Sequence, residues 1–420
     1  MIQCNRKRNA IYFVGIFTTI HLLSVFGMTF FNIALMMAGL TGLLKNGKHM
    51  KIDAFFLISI MACIITTIIS TVDNSLGSEF RNAAIKGGGL YCFVLILYLI
   101  MNTSYGNAVS LLKGFDISCK ITLLWCVLQL GIYYIFHVDI NTLVFNDFFG
   151  VNNARGDYFN GALIPSGFYC HRAVLIPCFI YLAFSATNPY LLVLMVIVTC
   201  LTRSTALIMG IVFSLFLRGL ILSVKSFSKR KTKRENLISA LTILLLAILT
   251  IFIFRKKIDN LVTYIIMRIM DSSSNKADNS SVVHFLYYKN LNAILKNLNI
   301  FRLLFGTGFG TSGQHYTWFN GQYSDMGAWV VESDFINILL NQGIVGLGLW
   351  FYLMYKIVNI SIKYKYWENV AFVLAVMVVG ILYNIQFMWF AVVEYSILVL
   401  TKHKIRVFDV KGKIKKRCDL

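Results

Sequence analysis

The chain reads as an all-α integral membrane protein of about twelve transmembrane helices, and three observations predict it. Hydrophobic residues make up 58% of the 420 positions and charged residues only 14%, with a mean hydropathy of +0.70. A soluble globule carries about a quarter of its residues charged to wet its surface, so that class is excluded. Apolar runs near the roughly 20 residues that cross a bilayer recur along the chain, separated by short basic stretches.

Taken in order, the first two helices form a hairpin over Ala10–Leu44 that turns near Phe26–Thr29. The third covers Ala54–Val72, the fourth Gly87–Met101 and the fifth Ile117–His137. A smaller outer loop, 138–166, leads to three helices over Gly167–Ser185, Pro189–Thr202 and Thr205–Leu222. The ninth is Leu237–Phe254, which closes the first block of membrane helices, 1–254. A large polar outer loop follows over 255–333. The tenth helix, Asp334–Lys356, and two more within Asn369–Leu400 fill 334–400, and a basic tail, 401–420, ends the chain.

Orientation follows from lysine and arginine in the short loops, which stay on the cytoplasmic side. One set of alternate loops holds 24 of the 39 basic residues, including six of the ten residues Lys225–Arg234 and eight in the tail. The other set holds 12, eight of them in the long loop, where charge is tolerated on either side. Both termini are therefore expected in the cytoplasm. The net charge of +21 is read as topology and contact with anionic lipid heads, not as a nucleic-acid surface. Met1–Asn9 and the apolar run after it lack a small-residue cleavage site and read as a start-transfer helix. Nine cysteines, most of them in apolar segments, make neither a disulfide framework nor a metal-ligand spacing.

Inside the large loop, Tyr287, Leu291, Ile294, Leu295 and Leu298 recur at helical spacing, with Lys289, Asn292, Lys296 and Asn297 on the other face. Ser280 or Ser281 can cap this helix, which is expected to lie over the mouth of the bundle. The segment Gly306-Thr307-Gly308-Phe309-Gly310-Thr311-Ser312-Gly313 contains a formal GxGxxG. No βαβ context supports a dinucleotide site, so these glycines are read as a tight turn close to a ligand or to another backbone. Tyr316, Trp318, Phe319, Tyr323 and Trp329 suit stacking on sugar rings and equally suit an interfacial aromatic belt.

The GxGxG turn, the polar residue before the helix and the pattern Asp334-Phe335-Ile336-Asn337-Ile338-Leu339-Leu340-Asn341-Gln342-Gly343-Ile344-Val345-Gly346-Leu347 together resemble the Wzy-type oligosaccharide repeat-unit polymerases and their relatives, the O-antigen ligases. Leu201-Thr202-Arg203-Ser204-Thr205-Ala206 is similar to that family's threonine, serine and arginine cluster, and Arg155-Gly156 lies in the smaller loop. The resemblance implies a bundle related to the GT-C glycosyltransferases, with one large and one smaller periplasmic loop, in the bacterial inner membrane. It implies transfer of a glycan from an undecaprenyl-diphosphate carrier to an acceptor hydroxyl, with no cofactor and no metal. The expected partners are undecaprenyl-diphosphate-linked oligosaccharides and membrane lipids, with room for a chain-length regulator and a flippase, and no nucleic acid.

That chemistry needs cations for the departing diphosphate and a base for the acceptor hydroxyl. Arg203 is the first nominee for the clamp, because an arginine at a membrane helix end is costly, about 2.5–3.5 kcal/mol at mid-bilayer, and marks function; snorkelling to the interface is its bland alternative. It stands one place earlier than the family's arginine. Arg155 and Arg172, with His171 beside the latter, come next. Arg268 resembles an arginine early in the family's large loop, and His284 stands where a second arginine is expected. Ligase-type relatives carry a histidine where this chain has Glu332-Ser333-Asp334, which favours a polymerase and nominates Glu332 as base, with Asp334 second and His315 as the alternative. An acid there would also cap the tenth helix. Glu394 is read as pairing inside the bundle. The remaining alternatives are an O-antigen ligase acting on lipid A core and, in another class, a flippase for lipid-linked oligosaccharides, which would show repeated halves and mid-membrane polar sites.

Overall fold

A computed structural model describes residues 10–17, 101, 104–148, 157–159, 162–167, 172–202, 204–229, 279–308, 310–315, 331, 333–383 and 388–408, with scattered positions between 61 and 84. The chain is mostly helical. In order come α1 (Ala10–Phe17), α2 (Tyr105–Phe136), a π-helical turn (Thr142–Phe148), β1 (Asp157–Phe159), β2 (Ala162–Ile164), α3 (Arg172–Ser185), α4 (Pro189–Leu201), α5 (Thr205–Lys229), α6 (Asn279–Lys296), α7 (Ile300–Phe305), α8 (Asp334–Lys363), α9 (Trp367–Leu382) and α10 (Met388–Lys402). Among the described residues two helices, α2 and α8, are long and apolar enough to cross a membrane. Most of the expected spans between 18 and 101, and the ninth at 237–254, lie outside the described residues.

Several expected boundaries move. The sequence reading starts the fifth helix at Ile117 by taking Lys113 and Lys120 as loop charges, yet α2 begins twelve residues earlier, at Tyr105. Ser104 caps it by accepting the Gly106 N–H at 3.2 Å. Apolar burial continues through Ala108, Val109, Leu111, Leu112 and Phe115, and Lys120 pairs with Asp116 one turn away. Helix α2 ends where His137 turns left-handed (φ 55). The smaller loop, expected to join helices, carries a short antiparallel hairpin with Asp157 opposite Ile164 and Phe159 opposite Ala162. Helix α3 starts at Arg172, five residues after the expected Gly167.

The chain divides into two units, Met1–Leu215 with Asn299–Leu420, and Phe216–Leu298. In the first, α1 crosses α2 through small residues. A Cβ on Gly15 would lie 2.2 Å from the Leu111 carbonyl oxygen, and Ser118 Oγ donates to Ile16 O at 2.5 Å. Helix α3 joins α2 through Ser185 Oγ, which donates to Asp116 at 3.0 Å. An aromatic cluster then gathers α2, α3 and α9 around the chain's last described residues. Phe115 meets Tyr181 edge-on at 4.9 Å, and Phe408 lies 5.4 Å from Tyr181 and 5.3 Å from Phe372.

The expected basic tail is therefore not all tail. Lys402 is still helical, and Ile405–Phe408 follows as a strap that buries Ile405 and Phe408. The Arg406 guanidinium grips the Glu368 carboxylate at 2.9 and 3.0 Å, and Tyr366 Oη donates to Lys404 O at 2.8 Å. Both bonds come from the one nitrogen Nη2, which bridges the two carboxylate oxygens in a charge-assisted contact. In the second unit, α6 follows the expected faces, with Tyr287 and Ile294 buried and Lys289, Asn292 and Lys296 exposed.

Candidate functional site

The site is built where two glycine-dependent breaks meet. Helix α7 is capped by Asn299, whose side chain accepts the Arg302 N–H at 2.8 Å, and it stops at Gly306. Gly306 has φ 80, a left-handed value that glycine alone adopts without strain. Facing it, α8 is interrupted at Gly343, where φ is 69 and ψ is −168. Each glycine makes room for the other segment's backbone. A Cβ on Gly306 would sit 2.3 Å from the Asn341 carbonyl, and one on Gly343 would sit 2.3 Å from the Leu304 carbonyl.

A helix broken in this way must find new donors for the carbonyls before the break. The glycine turn supplies them. Thr307 N–H donates to Leu340 O at 2.9 Å, and Gly308 N–H donates to Asn341 O at 3.0 Å. The Asn341 side chain continues the seam, since its Oδ1 accepts from the Thr311 and Ser312 amides at 3.1 and 2.8 Å. Its Nδ2 donates to Asn337 Oδ1 at 2.8 Å, and Ser312 Oγ donates to the same oxygen at 2.6 Å. Ser312 Oγ in turn accepts the Val331 N–H at 3.2 Å, and Ser333 N–H donates to Val331 O at 2.8 Å. The chain entering α8 is thus tied to the turn at Val331, to which Ser333 bonds back.

His315 closes the inner side of this network. Thr307 Oγ1 lies within hydrogen-bonding distance of Leu340 O at 3.0 Å, His315 Nε2 at 2.8 Å and Thr311 Oγ1 at 2.7 Å, while Thr311 Oγ1 donates to Gly308 O at 2.6 Å. Burial, with the Arg302 guanidinium as a smaller contribution, pulls the His315 pKa down to about 4. The imidazole is therefore neutral at physiological pH and braces the turn through its Nε2 bond to Thr307. Asp334 opens α8, fully buried, at a helix end whose dipole favours an anion. It faces Gly380 of α9, where a Cβ would lie 2.7 Å from Oδ2.

Of the residues expected from sequence, His315 and Asp334 fall in this one region, on the turn and on the helix it braces. Glu332, Arg203, Arg155, Arg268 and His171 lie outside the described residues. Arg172 is the first residue of α3, and His284 lies in α6, in the other unit; their side chains also fall outside the described residues. The reading of the glycines as a turn against another backbone is met at Gly306. Sequence reasoning missed Asn337 and Asn341 as the seam's centre. The available signal was two asparagines four residues apart in an apolar helix, which places both on one face.

No known protein-family model matches this chain, and no curated protein matches it. What fold and site define is a mostly helical chain that has, among the described residues, two helices suited to crossing a membrane, one of them interrupted and stitched to a glycine turn.

Proposed function

We propose that the chain is a membrane-embedded glycosyltransferase that joins lipid-linked oligosaccharide repeat units at the outer face of a bacterial inner membrane. It would span that membrane about twelve times with both termini inside. The observation that supports this reading best is the glycine turn bonded to α8, which also ties down Val331, the residue before Glu332, with Asp334 at the start of the helix.

In the proposed reaction the acceptor sugar's hydroxyl oxygen attacks the anomeric carbon of the donor glycan. The bond from that carbon to the diphosphate oxygen breaks, the diphosphate leaves on its undecaprenyl carrier, and the hydroxyl proton passes to Glu332. Asp334 stands second for that role. His315 is a weaker nominee for direct contact, because its Nε2 is engaged by Thr307. Arg203, Arg155, Arg172 and Arg268, with His171 and His284 as lesser contributors, are proposed to meet the diphosphate charge.

A transporter reading gains one observation, since transporters use interrupted helices whose freed backbone groups bind cargo. Here the Leu340 and Asn341 carbonyls before the break accept from Thr307 and Gly308. That favours a rigid scaffold over an open transport site.

Gene deletion with complementation tests the proposal by gel analysis of surface glycan. The expected result is a core capped by one repeat unit in the deletion strain, with Glu332→Ala or Arg203→Ala protein reaching the membrane yet failing to restore the ladder. Long chains stranded on the carrier with bare core would mean a ligase, and repeat units trapped inside would mean a flippase. Restoration of normal chain length by both variants would sink the proposed site.

A further inference from the structure

The smaller outer loop does not stop at the rim of the bundle. From β2 the chain runs through Leu163, Ile164, Ser166 and Gly167, all buried, towards α3, which is described from Arg172. Its backbone is received by two side-chain amides. Gln129 Oε1 accepts the Ser166 N–H at 3.2 Å, and Asn141 Nδ2 donates to Gly167 O at 2.9 Å and to Ser166 Oγ at 3.4 Å. Asn141 is itself fixed by Trp125, whose Nε1–H donates to its Oδ1 at 2.8 Å. Gln129 lies seven residues before Phe136, the last residue of α2. At 1.5 Å per residue that is about 10 Å below the helix end. Gly167 has φ 72, and a Cβ there would meet Leu175 Cδ2 at 2.9 Å, so the turn is closed onto the first turns of α3.

Gln129 is fully buried and its Nε2 has no hydrogen-bond partner among the described residues. A leucine of similar volume would leave no stranded donor, so packing alone does not account for the amide. Its Oε1 does what leucine cannot, which is to receive a main-chain N–H inside an apolar bundle. Non-helical backbone at such depth is tolerated only where protein groups satisfy it or where it lines a water-filled cavity.

We infer that Gln129, together with Asn141, is a positioning residue: the two amides hold 163–167 as a re-entrant turn inside the bundle and so set where α3 begins. The role in catalysis rests on the polymerase reading above, in which Arg172 at the start of α3 binds the diphosphate. The re-entrant turn itself does not depend on that reading.

The test uses the full-length protein in lipid nanodiscs, with Ser166→Cys as a reporter thiol and the chain without it as the labelling baseline. A hydrophilic maleimide should leave the reporter unlabelled with Gln129 present and label it in Gln129→Leu, while the melting temperature of Gln129→Leu stays level or rises. With lipid-linked repeat units from a deletion strain as substrate, Gln129→Leu should raise KM about fivefold with kcat within about twofold, the pattern of lost positioning for substrate binding. Rapid labelling of the reporter beside an intact Gln129 would overturn the re-entrant turn, whether or not the protein polymerises glycan. Labelling that appears on Gln129→Leu with KM unchanged would overturn the positioning role. A fall in melting temperature with no change in labelling would reduce Gln129 to a structural residue and overturn both its hold on the turn and its positioning role. If no polymerisation is seen even with Gln129, the polymerase reading fails while the labelling result still decides the turn.

Discussion

Helices α2 and α8 are nearly equal in length, 32 and 30 residues, and both are apolar enough to cross a membrane, yet they solve the backbone problem in opposite ways. Helix α2 is capped by Ser104 and runs to His137 without interruption. Helix α8 is broken at Gly343, and the carbonyls before the break are bonded from outside by a turn reached from α7. An uninterrupted helix satisfies its own peptide groups and needs nothing from its neighbours. An interrupted one is a fixed point, because the segment that satisfies it must stay in register. In the proposed function that register carries chemistry, as the same turn bonds Val331 through Ser312 one residue before Glu332.

Substitutions at glycine should separate the two helices most sharply. Gly343→Ala combines a left-handed φ with a Cβ 2.3 Å from the Leu304 carbonyl, so backbone would have to move. We expect a loss on the order of 4 kcal/mol or more, read as collapse of folded yield in detergent. Gly131 of α2 has nothing within 4 Å of its Cβ position, so Gly131→Ala should be neutral or stabilise by up to about 1 kcal/mol. Equal effects at the two sites would erase the distinction.

Between these extremes lies a pH effect confined to the braced helix. His315 is held near pKa 4, whereas an unfolded histidine titrates near 6.5, so between those values the unfolded chain binds more protons. Stability is therefore complete above about pH 6.5 and falls as pH drops towards 4, by about 3 kcal/mol in all. Thermal unfolding of wild type against His315→Gln checks this, and an unchanged pH slope between them would remove His315 from the brace. Asn341→Leu strands the Thr311 and Ser312 amides and should cost about 2 kcal/mol, less than Gly343→Ala. Measured stability of the two variants in one detergent gives that order directly.

How much of this was legible in the sequence varies with the kind of signal. Helix α6 followed from periodicity because its apolar and charged faces are distinct, and the glycine turn followed from Gly306, Gly308 and Gly310 in a short run. The start of α2 was not legible from charge, since Lys120 is neutralised by Asp116 on its own helix and does not mark a loop. The break at Gly343 could not be told from an ordinary helical glycine, such as Gly131, without the partner backbone at Leu304. The strap at Ile405–Phe408 was hidden by the basic residues around it, because only the fold brings Glu368 to Arg406 and Phe372 to Phe408. The Asn337 and Asn341 pair was visible as spacing, but its amide partners lie about 30 residues away in sequence. Short-range patterns are written in the chain; long-range hydrogen bonds are not.

Amide hydrogen exchange over residues 306–312 tests the central claim most directly, because it reads the donors that the broken helix requires. Thr307, Gly308, Thr311 and Ser312 amides should exchange as slowly as the core of α2, despite lying in a glycine-rich turn. Exchange at the rate of an open loop would mean that the turn does not brace α8, and would contradict the account.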